Sequence, residues 1–144
     1  MACCKCYQKS TLVAVTTRDV AVLAGDYVEY DINRVHTGVS ISHVEGNSVV
    51  RLISPGLYLV TFDGDFTVAT AGSVNVQLLN NGEFVPGAQD TVSGTTVVPR
   101  GLHFTTIIEV RPSCCAVNNN SALQVQVDSA GTFNNANITV VKLA

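Results

Sequence analysis

Apolar and polar residues alternate along most of this chain, and this spacing constrains the fold more than any other feature. The clearest case is residues 74–78, which read Val-Asn-Val-Gln-Leu. Successive side chains of a β-strand point to opposite faces, so this pattern builds one apolar face and one polar face. No window shows convincing helical spacing, and the chain is therefore predicted to be all-β.

Three further segments show the same alternation. The longest covers residues 57–68, where Gly64 is predicted to allow a bend or a bulge. Segments 102–110 and 123–127 follow the same rule. The residues predicted to share the apolar faces of these segments are Tyr58, Val60, Phe62, Phe66, Val68, Leu102, Phe104, Thr106, Ile108, Val110, Leu123, Val125 and Val127.

Turn-forming residues separate these segments at short intervals. The dipeptide Asn81-Gly82 is the strongest hairpin signal, because both residues accept the positive φ angles of a two-residue turn. Pro55-Gly56 and Pro86-Gly87 mark further breaks. Short strands without intervening helices are typical of an antiparallel sandwich or barrel. The 144 residues suffice for one such domain, predicted over residues 11–144 and preceded by a polar connector arm at residues 1–10.

An ordered set of short motifs resembles a known family. In chain order the motifs are residues 37–41 (Thr-Gly-Val-Ser-Ile), 55–62 (Pro-Gly-Leu-Tyr-Leu-Val-Thr-Phe), 81–88 (Asn-Gly-Glu-Phe-Val-Pro-Gly-Ala), 122–125 and 136–143. Over about residues 20–144 this order is similar to the complement-C1q and tumour-necrosis-factor group. The narrower resemblance is to the C-terminal domains of bacterial collagen-like exosporium glycoproteins and to endospore appendage subunits.

The resemblance implies an antiparallel jelly-roll sandwich of ten strands that packs as a homotrimer around a three-fold axis. Members of this group bind, cap or stack, and they are not enzymes. The chain lacks the Gly-X-Y repeat that a collagen triple helix requires, and a short Cys-Cys-Lys-Cys arm stands in its place. This departure from the pattern of the exosporium glycoproteins favours a directly linked building block over the tip of a collagen stalk.

Charge and composition limit the partners. Charged residues make up 13% of the chain, about half of the roughly 25% usual in soluble domains, which favours a surface partly covered by other copies. The net charge is −3 and Lys and Arg form no cluster, so nucleic acid is not an expected partner. No run of about 18 apolar residues could span a membrane, and the first residues lack the apolar stretch of a secretory leader.

Five cysteines fall into two groups. Cys3, Cys4 and Cys6 lie in the arm, and Cys114 and Cys115 form an adjacent pair in a polar loop. Adjacent cysteines rarely bridge each other, because a disulfide needs Cα atoms farther apart than the ~3.8 Å between neighbouring residues. An arm extending about 30 Å could reach the loop of another subunit, which is the favoured pairing, or its own loop. The cysteines could instead bind a metal or stay reduced, although the usual spacing of zinc ligands is absent.

The remaining chemistry-bearing residues show no catalytic pattern. His36, His43 and His103 are interpreted as exposed or interfacial, the last two on the polar faces of strands; they could instead form a metal or pH-sensing cluster on the trimer axis. Asp63-Gly64-Asp65 resembles part of a calcium loop but lies in a predicted strand without the EF-hand spacing. The chain is therefore predicted to have no catalytic residue, no cofactor and no metal.

Two functional hypotheses follow. The first is a structural subunit of an extracellular bacterial filament, such as a spore appendage, in which trimers stack and cysteines cross-link them outside the cell. The second is a receptor- or glycan-binding tip or decoration module on a phage or spore surface. The main partner is another copy of the chain, with a surface glycan or an anchor protein as further partners. The cysteine arm favours the first hypothesis, since a terminal tip does not need cysteines at two sites.

Overall fold

Every regular element in the part of the chain that the structure describes is a β-strand. The computed structural model describes residues 9–112 and 121–144. Their strands are β1 (Thr11–Val15), β2 (Val20–Val22), β3 (Ile32–Thr37), β4 (Ile41–Ser42), β5 (Val50–Leu52), β6 (Gly56–Val68), β7 (Gly72–Asn80), β8 (Glu83–Gly94), β9 (Arg100–Val110), β10 (Ser121–Val127) and β11 (Gly131–Lys142). The prediction of an all-β fold is confirmed. Within these two ranges, no helix is long and apolar enough to cross a membrane.

The strands form two antiparallel sheets that face each other. One sheet has six strands in the order β3-β1-β11-β6-β9, with β2 also paired to β11. The other has five strands in the order β4-β5-β10-β7-β8. The chain passes repeatedly from one sheet to the other, for example between β5 and β6 and again between β6 and β7. This is the predicted antiparallel sandwich.

The core lies between the two sheets, on the faces that the alternation predicted. The ring of Phe62 on β6 stacks on Phe104 of β9 with 5.5 Å between centroids, and it meets Phe133 of β11 edge-on at 6.2 Å. Phe62 and Phe133 are fully buried. All of the predicted core residues are buried except Thr106, which is half-buried.

Two irregularities lie elsewhere than predicted. Gly64 belongs to a continuous strand, and the bulge is in the partner strand β11, between Phe133 and Asn135. A Cβ at Gly64 would lie 3.2 Å from the Asn135 carbonyl oxygen and 3.3 Å from the Phe133 ring, so glycine here leaves room for the neighbouring strand. Pro86-Gly87 does not end a strand either. Gly87 has a φ of 83° and lies within β8, whose register against β7 shifts nearby.

The predicted hairpin at Asn81-Gly82 is confirmed between β7 and β8. Asn81 and Gly82 have φ angles of 53° and 84°, as the tightest two-residue turns require. The turn is also tied to β10, because the Asn81 N–H donates to the Ala122 carbonyl and the Ala122 N–H donates to Asn81 Oδ1, both at 2.8 Å. The side chain of Asn81 therefore fixes the hairpin against the neighbouring strand.

The strands run between two ends of the sandwich. Thr11 pairs with Val141, and Gly56 pairs with Val110, so β1 and β6 start where β11 and β9 finish. We call this the proximal end; it carries residues 9–10, 38–40, 53–55, 81–82, 111–112 and 143–144. The opposite, distal end carries the connections at residues 16–19, 23–26, 44–46, 69–71, 95–99 and 128–130.

Side chains of one sheet bond to the backbone of the other along both sides of the sandwich. On one side, Asn33 Nδ2 on β3 donates to the His43 carbonyl at 2.8 Å, and His36 Nε2 lies 2.8 Å from the Ile41 carbonyl. On the other side, the His103 N–H of β9 donates to Asp90 Oδ2 of β8 at 3.0 Å. These contacts join the outermost strands of the two sheets.

Candidate interaction surfaces

The residues predicted to form cross-links lie outside the described residues. Cys3, Cys4 and Cys6 precede residue 9, and Cys114 and Cys115 lie between residues 112 and 121. Their pairing therefore stays a prediction. The structure does give the positions of the residues on either side of the two segments.

Both cysteine segments join the sandwich at its proximal end. The Ser40 N–H donates to Ser10 Oγ at 2.9 Å, which ties the root of the arm to the connection before β4. Ile41 pairs with Leu52, and Leu52 pairs with Ser121, the first described residue after the cysteine pair. Neighbouring strands lie about 4.8 Å apart, so Ser121 lies two strands, or about 10 Å, from Ile41, the residue after Ser40.

Gly38 makes room for the root of the arm. Its φ is 72°, and a Cβ at this position would overlap the side chain and backbone of Ser10. Ser10 is buried, and its carbonyl accepts a hydrogen bond from the Lys142 N–H at 3.0 Å. The last two residues of the predicted arm, Lys9 and Ser10, are thus held by the sandwich. Lys9 remains exposed, and the polar character of Ser10 gave no signal of its burial in the sequence.

The outward face of the six-stranded sheet is apolar over its central part. On this face Leu59 of β6 lies between Ile107 of β9 and Val141 of β11. Ile107 is 55% exposed and Leu57, near the start of β6, is 39% exposed. We name this surface the association face; it consists of Thr11, Val13, Val35, Leu57, Leu59, Thr61, Thr105, Ile107, Thr139 and Val141.

Charged side chains border the association face without entering it. Glu109, opposite Leu57, marks its proximal border, and Asp63, opposite His103, marks its distal border. Covering the face therefore removes apolar and hydroxyl-bearing side chains from water without burying a charge. Apolar burial contributes about 25 cal/mol per Å², and contiguous apolar patches on soluble proteins mark interaction sites.

The outward face of the five-stranded sheet has the opposite character. Asn75 Nδ2 of β7 donates to Thr91 Oγ1 of β8 at 2.5 Å, and Gln77 Nε2 donates to Gln89 Oε1 at 2.8 Å. Amides and hydroxyls bonded to each other in this way are well suited to contact with water. Over the residues that the structure describes, the two outward faces of the sandwich therefore differ in composition.

Two adjoining grooves lie in the distal half, beside β2, and their charged groups are mostly carboxylates. The larger groove, about 410 Å³, is lined by Arg18, Asp19, Val20, Ala21, Glu29, Asp31 and Gly46. The smaller, about 330 Å³, adds Asp26 to the set. Asp31 accepts hydrogen bonds from the hydroxyl and the backbone N–H of Thr17, and these bonds hold its pKa below the ordinary value. Asp31 is therefore ionised at neutral pH.

The interpretation of His43 as an exposed strand residue is wrong. His43 is buried and directly follows the two-residue strand β4. Its Nε2 lies 2.8 Å from the Asn47 carbonyl, its Nδ1 faces Asn33 Oδ1, and its ring meets Tyr30 edge-on at 5.9 Å. Ile41 and His43 are buried and Ser42 between them is half-buried, so the alternation continues past the end of β4 and His43 lies on the inward face, not on the polar face.

The other predicted polar residues lie as expected. His36 and His103 are exposed, but β3 and β9 form opposite edges of the six-stranded sheet, so the three histidines are not brought together within a chain. Asp63 and Asp65 lie in β6, and Asp65 accepts a hydrogen bond from Asn135 Nδ2 at 2.6 Å. In residues 9–112 and 121–144, no group of three or more His, Cys, Asp or Glu side chains is placed to hold a metal.

The chain is similar to known proteins in its structure. No protein-family model matches the chain, and no curated protein matches its sequence. The globular domain of zebrafish complement 1qA protein matches with a TM-score of 0.70 at 7% identity, over 94% of this chain and 98% of that chain. Murine APRIL at pH 5.0 matches with a TM-score of 0.66 at 14% identity, over 94% and 100%.

Two further solved structures extend the range of similar proteins. Eiger TNF from S. frugiperda matches with a TM-score of 0.67 at 14% identity, over 94% of each chain. The vertex protein P5 of PRD1 matches with a TM-score of 0.62 at 14% identity, over 94% of this chain and 98% of that chain. At such identities the similarity concerns the fold. The strand order and these matches together show that the chain has the C1q/TNF-like antiparallel jelly-roll fold.

Proposed function

We propose that the protein is a self-assembling structural subunit of an extracellular filament, of the kind carried by bacterial spores, and that it acts without catalysis. Its jelly roll, residues 11–144, forms a homotrimer, and its arm, residues 1–10, cross-links neighbouring subunits. The observation that carries the proposal is the association face, a surface of apolar and threonine side chains that a single copy leaves partly in contact with water.

The association face supports the proposed trimer through the side chains that it can bury. Association of the three copies removes Leu57, Leu59 and Ile107 from water at no cost in buried charge. The polar face of the five-stranded sheet remains outside. The low charged fraction of the chain, 13%, is consistent with a surface of which one part is always covered.

The length of the arm limits which subunits it can join. Residues 1–8, fully extended, span about 26 Å, whereas the thirteen residues of β6 span about 43 Å from one end of the sandwich to the other. When the proximal end of one copy faces the distal end of the next, the arm of the first copy is therefore too short to reach the proximal loop of the second. We propose that the cross-links join copies that stand side by side, in one trimer or in adjacent ones.

A charge placed in the association face is expected to abolish the trimer. Ile107→Glu should convert the trimer to a monomer, because the carboxylate would have to be desolvated at the contact, at a cost of several kcal/mol. Ile107 is more than half exposed in the single copy, so the fold should tolerate the change. Sedimentation equilibrium in reducing buffer measures the mass, and circular dichroism checks the fold.

The matched control for this experiment is Thr91→Glu, on the exposed face of the five-stranded sheet. It introduces the same charge on a neighbouring strand of the other sheet and should leave the trimer unchanged. A trimeric Ile107→Glu protein, or equal dissociation of both variants, would show that the association face is not the interface.

Deleting residues 1–8 is expected to leave folding and trimer formation unchanged while removing covalent assembly. Ser10, which anchors the start of the sandwich to Ser40, stays in the truncated chain. Far-ultraviolet circular dichroism and sedimentation should therefore match those of the full chain under reducing conditions. Non-reducing electrophoresis should lose every species above the monomer. An insoluble or unfolded truncated protein would mean that the arm belongs to the core of its own jelly roll.

A second candidate function is a binding tip or decoration module on a phage or spore surface. The PRD1 protein of the same fold is a vertex protein, and the distal loop exposes Val97 (83%) and Val98 (51%) as a contact surface for a receptor. The two functions differ in their cysteine chemistry. A tip keeps its thiols free or pairs them within one chain, whereas a filament subunit pairs them between chains.

A further inference from the structure

Charged residues are distributed unevenly along the long axis of the sandwich, and the proximal end is basic. Strand register and turn positions place six described charged residues there: Lys9, Arg51, Arg111, Lys142, Glu83 and Glu109. Four cations stand against two carboxylates, and one of these, Glu109, is already paired with Arg111 at 3.1 Å.

The distal half is acidic. Two cations and seven carboxylates among the described residues lie on its strands, loops and grooves: Arg18, Arg100, Asp19, Asp26, Glu29, Asp31, Glu45, Asp65 and Asp128. Only Arg34, Asp63 and Asp90 remain near mid-length. The proximal end thus carries a net of two positive charges and the distal half a net of five negative charges.

Both ends also expose large apolar side chains in their loops or at the start of a strand. At the proximal end, Val39 is 85% and Phe84 is 58% exposed. At the distal end, Leu23 is 69% and Val97 is 83% exposed. Each end therefore combines apolar side chains with charges of one prevailing sign, and the signs of the two ends are opposite.

We propose that copies of this protein stack end to end, with the basic proximal end of one against the acidic distal end of the next. Contact between like ends would bring charges of the same sign together, so only the head-to-tail arrangement is favourable. A contact between two different surfaces leaves one surface of each kind unoccupied at the ends of the assembly, so further copies can add. The assembly grows as a filament when the rotation between copies does not close a ring. The inference rests on the proposed filament function and gives that filament a direction.

Salt is the first test, applied to the full chain under reductant so that no disulfide holds the junctions. Raising NaCl from about 0.01 M to about 1 M shortens the Debye length from about 30 Å to about 3 Å. Electron microscopy and light scattering should then show filaments shortening to isolated trimers. Filaments of equal length at both salt concentrations, or a wild-type protein that never stacks at low salt, would overturn the proposal.

Charge reversal at each end is the sharper test. One variant carries Lys9→Glu and Arg111→Glu at the proximal end, which changes its net charge from +2 to −2. The other carries Asp19→Lys, Glu29→Lys and Glu45→Lys in the distal half, which changes its net charge from −5 to +1. Each should lower the association constant for stacking by roughly tenfold or more, because its two ends now repel or lose their attraction. Arg34→Glu, at mid-length, is the control and should stack like the wild type.

Mixing the two reversed variants should restore filaments in which they alternate. The reversed proximal end of one variant then meets the reversed distal end of the other, and the two unchanged ends also match. Restoration supports the head-to-tail pairing. Unimpaired stacking of either reversed variant alone, or no filaments from the mixture, would overturn it. Sedimentation keeps the two proposals apart, because intact trimers that stack without regard to charge contradict only the inference, whereas loss of the wild-type trimer contradicts the proposed function.

Discussion

We expect Phe62→Ala to lower the free energy of unfolding by about 3–5 kcal/mol, since removing a fully buried ring leaves a cavity that the surrounding structure only partly fills. Phe62 sits where three strands of the six-stranded sheet place aromatic rings together, stacked on Phe104 and edge-on to Phe133. Both neighbours belong to strands paired with β6, so they cannot collapse into the space independently. Urea denaturation at one fixed protein concentration, in reducing buffer, measures the change.

The matched control for Phe62→Ala is Gln89→Ala, on the exposed face of β8. Its amide bonds only to Gln77 at the surface, and exposed substitutions of this kind usually change stability by no more than about 0.5 kcal/mol. A loss below about 1 kcal/mol for Phe62→Ala would contradict the inward orientation of this part of β6, and with it the packing of the aromatic cluster.

Replacing Cys114 and Cys115 together by Ser is expected to change the behaviour of the assembly completely. The wild-type material should resist hot detergent until reductant is added, because several disulfides at each contact must all break. The double variant should run as a monomer in hot detergent without reductant. Its trimer should still form in native buffer, since the association face does not include these residues. Non-reducing electrophoresis and sedimentation measure the two properties.

The pairing itself can be read from a non-reduced digest by mass spectrometry, which should show arm peptides joined to the peptide that carries Cys114 and Cys115. A mixture of isotopically light and heavy chains, assembled together, separates pairing between chains from pairing within one chain, since only the former yields mixed-label peptides. Five free thiols in mature material, a bound stoichiometric metal, or exclusively single-label peptides would refute the cross-linked filament and favour the binding-tip function.

The fold was predictable from the sequence because its strongest local signals agree with one another. In β10 the apolar parity of Leu123, Val125 and Val127 coincides with burial, and the Asn81-Gly82 turn joins two strands that pair as expected. Such signals depend only on neighbouring residues. The pairing of β6 with β9 and β11, which creates the association face, joins residues more than thirty positions apart and carried no local signal.

The features that the sequence did not predict depend on contacts between distant strands. Gly64 indicated an irregularity, but the bulge formed in β11, because the residue with no side chain accommodates its neighbour instead of bending its own strand. The prediction of a polar strand face for His43 is wrong, because His43 has the parity of the buried Ile41 and contacts Asn33 of the other sheet. The opposite charges of the two ends likewise became visible only when strand direction assigned each residue to an end.

The bonds along the sides of the sandwich limit how such a protein can aggregate. A strand at the border of a sheet offers unpaired backbone groups to any extended segment of another chain, which is the usual route to amyloid-like growth. Here the His103 N–H already donates a hydrogen bond to the Asp90 carboxylate, and the His43 carbonyl already accepts one from the Asn33 amide. In the assembly proposed above, these bonds would favour ordered contacts between folded surfaces over uncontrolled strand addition.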